Sequence, residues 1–201
     1  MNTKEKILSK ALELFNTEGV ENITTRHIAK EINMSQGNLH YHYPNKNALI
    51  TRLYEDFFDE IRNVERYNSG SLFAKEDVLK SMEDSFKIMF RYRFFFIDNA
   101  VVWRRLPEVK TNIILLLEAK KNEIREIIQS YKNQGIFRSG ISDEQMNYLA
   151  EQFIFLISSW LNASEYLPNT SNVAKQYAQF TFRNWLPYLN DQEMKEWEAI
   201  L

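Results

Sequence analysis

The chain has 201 residues, 44% of them hydrophobic and 26% charged, which is an ordinary globular composition with enough material for a sizeable core. It has no cysteine, which excludes a disulfide framework, a thiol nucleophile and a zinc–thiolate site, and suits the reducing cytoplasm where we expect it. A net charge of −2 argues, taken alone, against a nucleic-acid binder.

The N-terminal stretch MNTKEKILSKALELF carries Glu5 and Glu13, so it lacks the uninterrupted apolar core of a signal peptide. Apolar runs such as 113–117 and 153–157 fall far short of the ~20 residues that a membrane span needs, and no membrane partner is expected. Ile7, Leu8, Ala11, Leu12, Leu14 and Phe15 recur at offsets of three and four, the signature of an amphipathic helix. The same spacing continues along the chain, and no period-two run bounded by turn signals interrupts it. The fold class expected is all-α, an N-terminal three-helix helix-turn-helix domain followed by a larger helical bundle.

The predicted helices span about 3–18, 25–32, 36–42, 46–67, 75–92, 94–104, 107–134, 143–166, 172–187 and 191–199. Pro44, Pro107, Pro168 and Pro187 fall near their boundaries, and Gly19, Gly70, Gly135 and Gly140 mark turns. Ser142 with Gln145, and Asn190 with Glu193, have the spacing of capping boxes. The sequence NSGS at 68–71 reads as a connector. The first three helices are short and the later ones long, so residues 1–47 are read as one domain and 48–201 as a second. Residues 1–52 carry seven lysines and arginines against five glutamates, the sign expected of a small basic head on an acidic body.

All three histidines lie between residues 27 and 42. With Ser35 as N-cap, a helical wheel of the third helix sets Leu39 on one side. Gly37 and Tyr41 fall roughly opposite, flanked by Asn38 and His40, while His42 and Tyr43 return toward Leu39. The outward face carries amides, a histidine, an aromatic and a glycine, and no Asp or Glu. Glutamine and asparagine can bond two positions of an adenine edge, and an aromatic can meet a thymine methyl or a phosphate. Gly37 allows close approach of the helix backbone. Thr24 and Thr25 open the preceding helix, where an N-cap hydroxyl beside free N–H groups suits a phosphate, and Lys46 opens the fourth helix with a positive charge. Two short helices joined through Asn33, Met34 and Ser35 make a helix-turn-helix. The pair His40 and His42 stands two residues apart on a helix, so the rings point ~200° from one another and cannot share a metal ion.

The segment 23–49 resembles the DNA-binding domain of the TetR family of bacterial repressors. The residues that carry the resemblance are Thr24, Thr25, Arg26, Ile28, Ala29, Ser35, Gly37, Leu39, His42, Tyr43, Lys46 and Leu49, with Ala11, Leu14, Phe15 and Gly19 of the first helix. It implies that Arg26 and Gln36 read base edges and that Thr25, His42 and Lys46 hold phosphates. The chain departs from the family pattern at His40, where tyrosine is usual, and at Tyr43, where phenylalanine is usual. With few basic residues in the head, hydroxyls and helix N-termini must supply much of the phosphate grip, so a shallow salt dependence is expected.

The body is rich in aromatics. Phe86, Met89, Phe90, Phe96, Asn99, Trp103, Phe153 and Trp160 are candidate walls of a pocket for a small apolar or aromatic ligand, although a packed core also uses such residues. The run 93–109 (RFFFIDNAVVWRRLPEV), with WLPYL at 185–189, resembles the C-terminal domain of one TetR subgroup. The last two long helices are apolar on more than one side: Met146, Leu149, Phe153, Leu156 and Trp160 form one stripe, with Phe155, Ser159 and Asn162 off it. Tyr177, Phe180 and Asn184 lie on one of two stripes on the following helix. A helix buried on one side needs a single stripe, so these residues are candidates for a homodimer interface.

The function expected is a ligand-responsive repressor that binds double-stranded DNA as a homodimer, at a near-palindromic operator with recognition helices about 34–36 Å apart. Ligand would shift the helices near 94–109, which push on the helix at 46–67 and take the heads out of register. No cofactor is expected. A body without histidine or cysteine offers no imidazole base and no thiol, so an enzyme is not expected. The alternative is a hydrophobic-ligand-binding helical protein that has lost DNA binding.

Overall fold

The computed structural model of the chain describes residues 2–68, 74–164 and 172–201. The expected connector at 68–71 (beyond Asn68 itself), the turn at Gly70, the boundary at Pro168 and the last two residues of the helix expected at 143–166 lie outside these residues. The helices are α1 (Thr3–Glu18), α2 (Thr25–Glu31), α3 (Gln36–His42), α4 (Lys46–Asn68), α5 (Lys75–Arg91), α6 (Phe94–Ile97), α7 (Asn99–Arg105), α8 (Pro107–Asn133), α9 (Asp143–Ser164), α10 (Val173–Arg183) and α11 (Asp191–Ile200), with a 3-10 turn at Leu186–Tyr188. Among the described residues there is no β-strand, only an isolated antiparallel bridge between Phe137 and Leu189. No helix among them is long and apolar enough to cross a membrane.

Local chemistry explains most boundaries. Asn2 and Glu5 form a full capping box on α1, each side chain accepting from the other's backbone N–H at 2.9 Å. Ser142 and Gln145 do the same on α9 at 3.1 and 3.0 Å. At α11 only half the expected box forms. Asn190 accepts from Glu193 N–H at 2.9 Å, but the Glu193 carboxylate goes to Lys75 instead. Pro107 opens α8, where its missing N–H has no helical partner to lose.

Two expected helices are broken. The predicted helix at 94–104 divides at Asp98, whose backbone turns to φ −93°, ψ 26°. The predicted helix at 172–187 ends at Arg183 and continues as the 3-10 turn, because Pro187 has no N–H to donate and disfavours α geometry in the residue before it.

Packing divides the chain into two compact units: Met1–Glu60 with Arg91–Ile113, and Ile61–Phe90 with Ile114–Leu201. In the first, the apolar faces of α1 (Ile7, Ala11, Leu14, Phe15), α2 (Ile28, Ala29) and α3 (Leu39) are buried together with Leu49, Ile50, Leu53 and Phe57 of α4. Phe94 of α6 sits 5.3 Å from Phe15 and Phe95 lies 6.1 Å from Phe57, ring centre to ring centre. So the three short helices share their core with α6 and the opening turns of α4, rather than closing a core of their own within 1–47.

In the second unit an aromatic cluster forms the centre. Phe153 of α9 packs on Phe182 and Trp185 at 5.6 and 5.7 Å. Trp197 of α11 and Tyr131 of α8 complete it, 6.2 Å apart. Burial raises the Tyr131 hydroxyl pKa above its ordinary value, with Glu193 and Glu76 adding to the shift. Lys75 ties α5 to α11 through Glu193 and Glu196.

Candidate nucleic-acid interface

The short helices α2 and α3 are joined by a turn that the sequence specifies closely. Ile32 N–H still reaches Ile28 O at 3.3 Å, then Asn33 takes a left-handed backbone at φ 54° and Met34 N–H folds back to Ala29 O at 2.8 Å. Asparagine tolerates that conformation better than other side-chain-bearing residues. Thr24 caps α2 by accepting His27 N–H at 3.2 Å, and Ser35 caps α3 by accepting Asn38 N–H at 3.2 Å.

The α3 helix has one anchored side. Leu39 is fully buried, whereas Tyr41 is 85% exposed. Gly37, Asn38 and His40 are exposed beside Tyr41, and Gln36 and His42 are half-buried. Nothing lies within 4 Å of the space a Cβ on Gly37 would take, so this side of the helix is open. The His42 ring stands edge-on to Tyr41 at 5.2 Å.

Two side-chain bridges bind the start of α2 to α3. Arg26 Nε donates to Gln36 Oε1 at 3.2 Å, and Thr25 Oγ1 lies 3.1 Å from His40 Nε2. The structure therefore brings Thr25, Arg26, Gln36 and His40 into one constellation. Thr24 and Lys46 stand outside it. The Lys46 ammonium donates to Val20 O at 2.7 Å and Ile23 O at 2.8 Å, with Glu21 O at 3.5 Å. Burial lowers its pKa, Arg105 repels it further, and Glu21 opposes both. A lysine expected to hold a phosphate is here engaged with the backbone of the turn between α1 and α2, which presents carbonyls with no helical partner.

Sequence patterns gave no sign of a second set of contacts around that turn. Asn16 donates to Arg91 O at 2.7 Å and accepts Phe94 N–H at 3.1 Å. Asp98 Oδ2 accepts Val20 N–H at 2.7 Å, and Arg105 pairs with Glu21 at 3.3 Å. Gly19 permits the approach: its φ is +81°, and a Cβ there would stand 3.2 Å from Asp98 Oδ2. Nearby, Tyr92 donates to Glu60 Oε1 at 2.8 Å, and burial together with this bond raises its pKa above the ordinary range.

In the second unit, α9 and α10 leave an open-sided groove of about 680 Å³. Phe155, Ser159, Tyr177 and Phe180, four of the six dimer candidates, line it, with Trp160 and Arg183. Phe155 is 68% and Phe180 53% exposed. Asn162 is exposed, and Asn184 bonds Phe180 O at 2.9 Å.

The eight pocket candidates divide between the two units. Phe86 and Phe90 pack on Trp160 at 4.9 and 6.3 Å, Met89 is buried, and Phe153 belongs to the aromatic cluster. In the first unit Phe96 lies 5.7 Å from Phe57, Asn99 opens α7, and Trp103 has the Lys110 ammonium 5.5 Å from its ring centre. Inward wheel position fixes burial, but not which buried aromatics border a cavity.

Comparison with known proteins decides the family. Residues 7–53 match the family described as bacterial regulatory proteins, tetR family, and residues 56–196 match the TetR family described as bacterial transcriptional repressor. The chain belongs to the TetR family. The biofilm operon icaADBC negative transcriptional regulator IcaR of Staphylococcus epidermidis is 25% identical over 63% of this chain and 61% of its own length. The transcriptional regulator QacR of Staphylococcus aureus is 32% identical over 57% of this chain and 60% of its own. The chain thus spans about three fifths of these two relatives. A TetR-family transcriptional regulator from Marinobacter aquaeolei VT8 superposes with a TM-score of 0.87 at 25% identity, covering 100% of this chain and 97% of that one. These TetR-family relatives are regulators, not enzymes, and the two-part helical architecture is the family's own.

Proposed function

We propose that this TetR-family protein is a ligand-responsive transcriptional repressor that binds a near-palindromic operator as a homodimer. The observation that carries it is the open face of α3. Tyr41 stands free in solvent opposite a fully buried Leu39, with Gly37, Asn38 and His40 beside it, and no acidic side chain on the helix. A helix of this kind fits a major groove. Thr24, Thr25, His40 and His42 would serve the phosphates or base edges beside it. Lys46 reaches a phosphate only by releasing backbone carbonyls. The DNA-contacting part is residues 1–47, and 48–201 supplies ligand binding and dimerisation.

The homodimer reading rests on the α9 and α10 groove, where large apolar side chains face solvent. The ligand is a small apolar or aromatic molecule bordered by some of Phe86, Met89, Phe90, Phe96, Asn99, Trp103, Phe153 and Trp160. Its signal has two short routes within the first unit. α6 touches α4 through Phe95 and Phe96, and the segment from α6 to α7 grips α1 and its following turn through the Asn16, Asp98 and Arg105 contacts. A ligand acts only if it binds the off-DNA arrangement more tightly than the on-DNA one.

Purified protein incubated with random-sequence duplexes, with the bound pool sequenced, tests the reading. Enrichment of a two-fold-related motif supports it. Recovery of no preferred sequence favours the alternative, a helical carrier of apolar ligands without DNA binding.

A further inference from the structure

The Arg26–Gln36 bridge fixes what this pair can read. A guanidinium carries N–H donors and no acceptor. The Gln36 atom facing Arg26 Nε at 3.2 Å is therefore the carbonyl oxygen on chemical grounds, because the opposite amide setting would put N–H against N–H. This turns the Gln36 NH₂ group away from the arginine. The two terminal nitrogens of Arg26 have no partner among the described residues, and Arg26 is exposed. The Gln36 oxygen keeps a second lone pair, but it is turned toward the arginine, so the outer surface of the pair presents chiefly donors. Thr25 and His40 bridge the same two helices one turn further along α3, which holds the pair in place before any partner arrives.

Base edges in a major groove differ in what they accept. Guanine presents two adjacent acceptors, N7 and O6. Adenine sets an N6 donor beside N7, cytosine presents an N4 donor, and thymine one O4 acceptor beside a methyl group. A lone glutamine reads adenine by donating to N7 while its oxygen accepts from N6. Here that oxygen is turned toward a guanidinium, with one of its two lone pairs taken. Resting on the DNA-binding reading above, we infer that Arg26 and Gln36 act as one donor-presenting unit that reads guanine, with the Gln36 amide donating to a keto oxygen (O6 of guanine or O4 of thymine) on the neighbouring base. The adenine preference suggested by a glutamine on a recognition helix is replaced by a preference for guanine followed by a keto base.

The test uses the full chain and random-sequence duplexes. Wild type is expected to enrich one guanine per half-site, with guanine or thymine next to it. Replacing that guanine by 7-deazaguanine in an enriched duplex removes N7 alone and should weaken binding roughly tenfold to a hundredfold. Arg26→Ala should erase the preference at that position and leave the others. Gln36→Glu keeps the bridge to Arg26 but replaces donors by acceptors, and should switch the neighbouring base from keto to amino (adenine or cytosine). A merely structural role for the bridge would lower affinity without that switch. The inference is overturned if wild type enriches sequences whose Gln36-dependent base is adenine, or if both variants weaken binding evenly with an unchanged motif. If wild type enriches nothing, the DNA-binding reading itself fails, a result distinct from an unexpected motif.

Discussion

The Asp98 carboxylate accepts the Val20 backbone N–H at 2.7 Å, across 78 residues of sequence. It fixes the turn that follows α1 to the junction between α6 and α7. Gly19 eases this approach, since a Cβ there would crowd Asp98 Oδ2 at 3.2 Å. Asp98→Ala should cost about 1.5–3 kcal/mol of stability, the range for losing a hydrogen bond to a charged group, and should speed hydrogen exchange of the Val20 amide about tenfold or more. Gly19→Ala should destabilise through the left-handed backbone and the crowding together. An unchanged Val20 exchange rate in Asp98→Ala would show that the turn holds without this contact.

Lys46 separates two roles that one variant can distinguish. Its ammonium holds the carbonyls of Val20 and Ile23. Lys46→Met should lower stability by about 1–2 kcal/mol because those carbonyls lose their donor, while the salt dependence of duplex binding stays as in wild type. A salt slope reduced by about 0.9 per head, with stability unchanged, would instead assign Lys46 to a phosphate.

The exposed rings of Phe155 and Phe180 give the dimer reading its test. Phe155→Glu with Phe180→Glu places like charges on a face that pairs with itself in a two-fold dimer. Sedimentation should then show a monomer with the wild-type helical signal, and operator affinity should drop at least tenfold. A double variant that sediments as wild type would remove α9 and α10 from the interface.

The Lys75 ion-pair cluster makes a prediction about pH. Burial lowers the Lys75 pKa, but its bonds to Glu193 and Glu196 outweigh this and leave it raised above its ordinary 10.5, while the Lys75 bond holds Glu196 below its ordinary 4.5. A raised lysine contributes stability that is complete below 10.5 and lost as pH rises through its folded value. A depressed carboxylate contributes stability that is complete above 4.5 and lost as pH falls through its folded value. The stability difference between wild type and Lys75→Met should therefore be flat through neutral pH, shrinking below 4.5 and above 10.5. A difference that varies between pH 6 and 9 would point to another titrating group.

The all-α fold was legible because helical periodicity, proline positions and N-cap residues point the same way along most of the chain. The open face of α3 was legible too, since Leu39 and Tyr41 fall on opposite sides of a short helix. The break at Asp98 was not. Its side chain serves a backbone N–H far away in sequence, and no local pattern encodes a partner at that distance. The backbone contacts of Lys46 were hidden for a related reason: a cation at a helix start suits a phosphate, and only tertiary structure brings the carbonyls of a distant turn to it. For Phe153 the wheel position shows which way the ring points, whereas its neighbours Phe182 and Trp185 come from α10 and beyond and were not legible.

The most direct measurement compares wild type with the Gln36→Ala, Tyr41→Ala double variant on two duplexes, one enriched by wild type and one of shuffled sequence. Tyr41 is 85% exposed and Gln36 half-buried, so the variant should keep the wild-type helical signal and nearly the wild-type melting temperature. Docking of α3 in the major groove predicts that wild type prefers the enriched duplex at least a hundredfold and that the variant binds both alike. A folded variant that still discriminates between them as wild type does would contradict it.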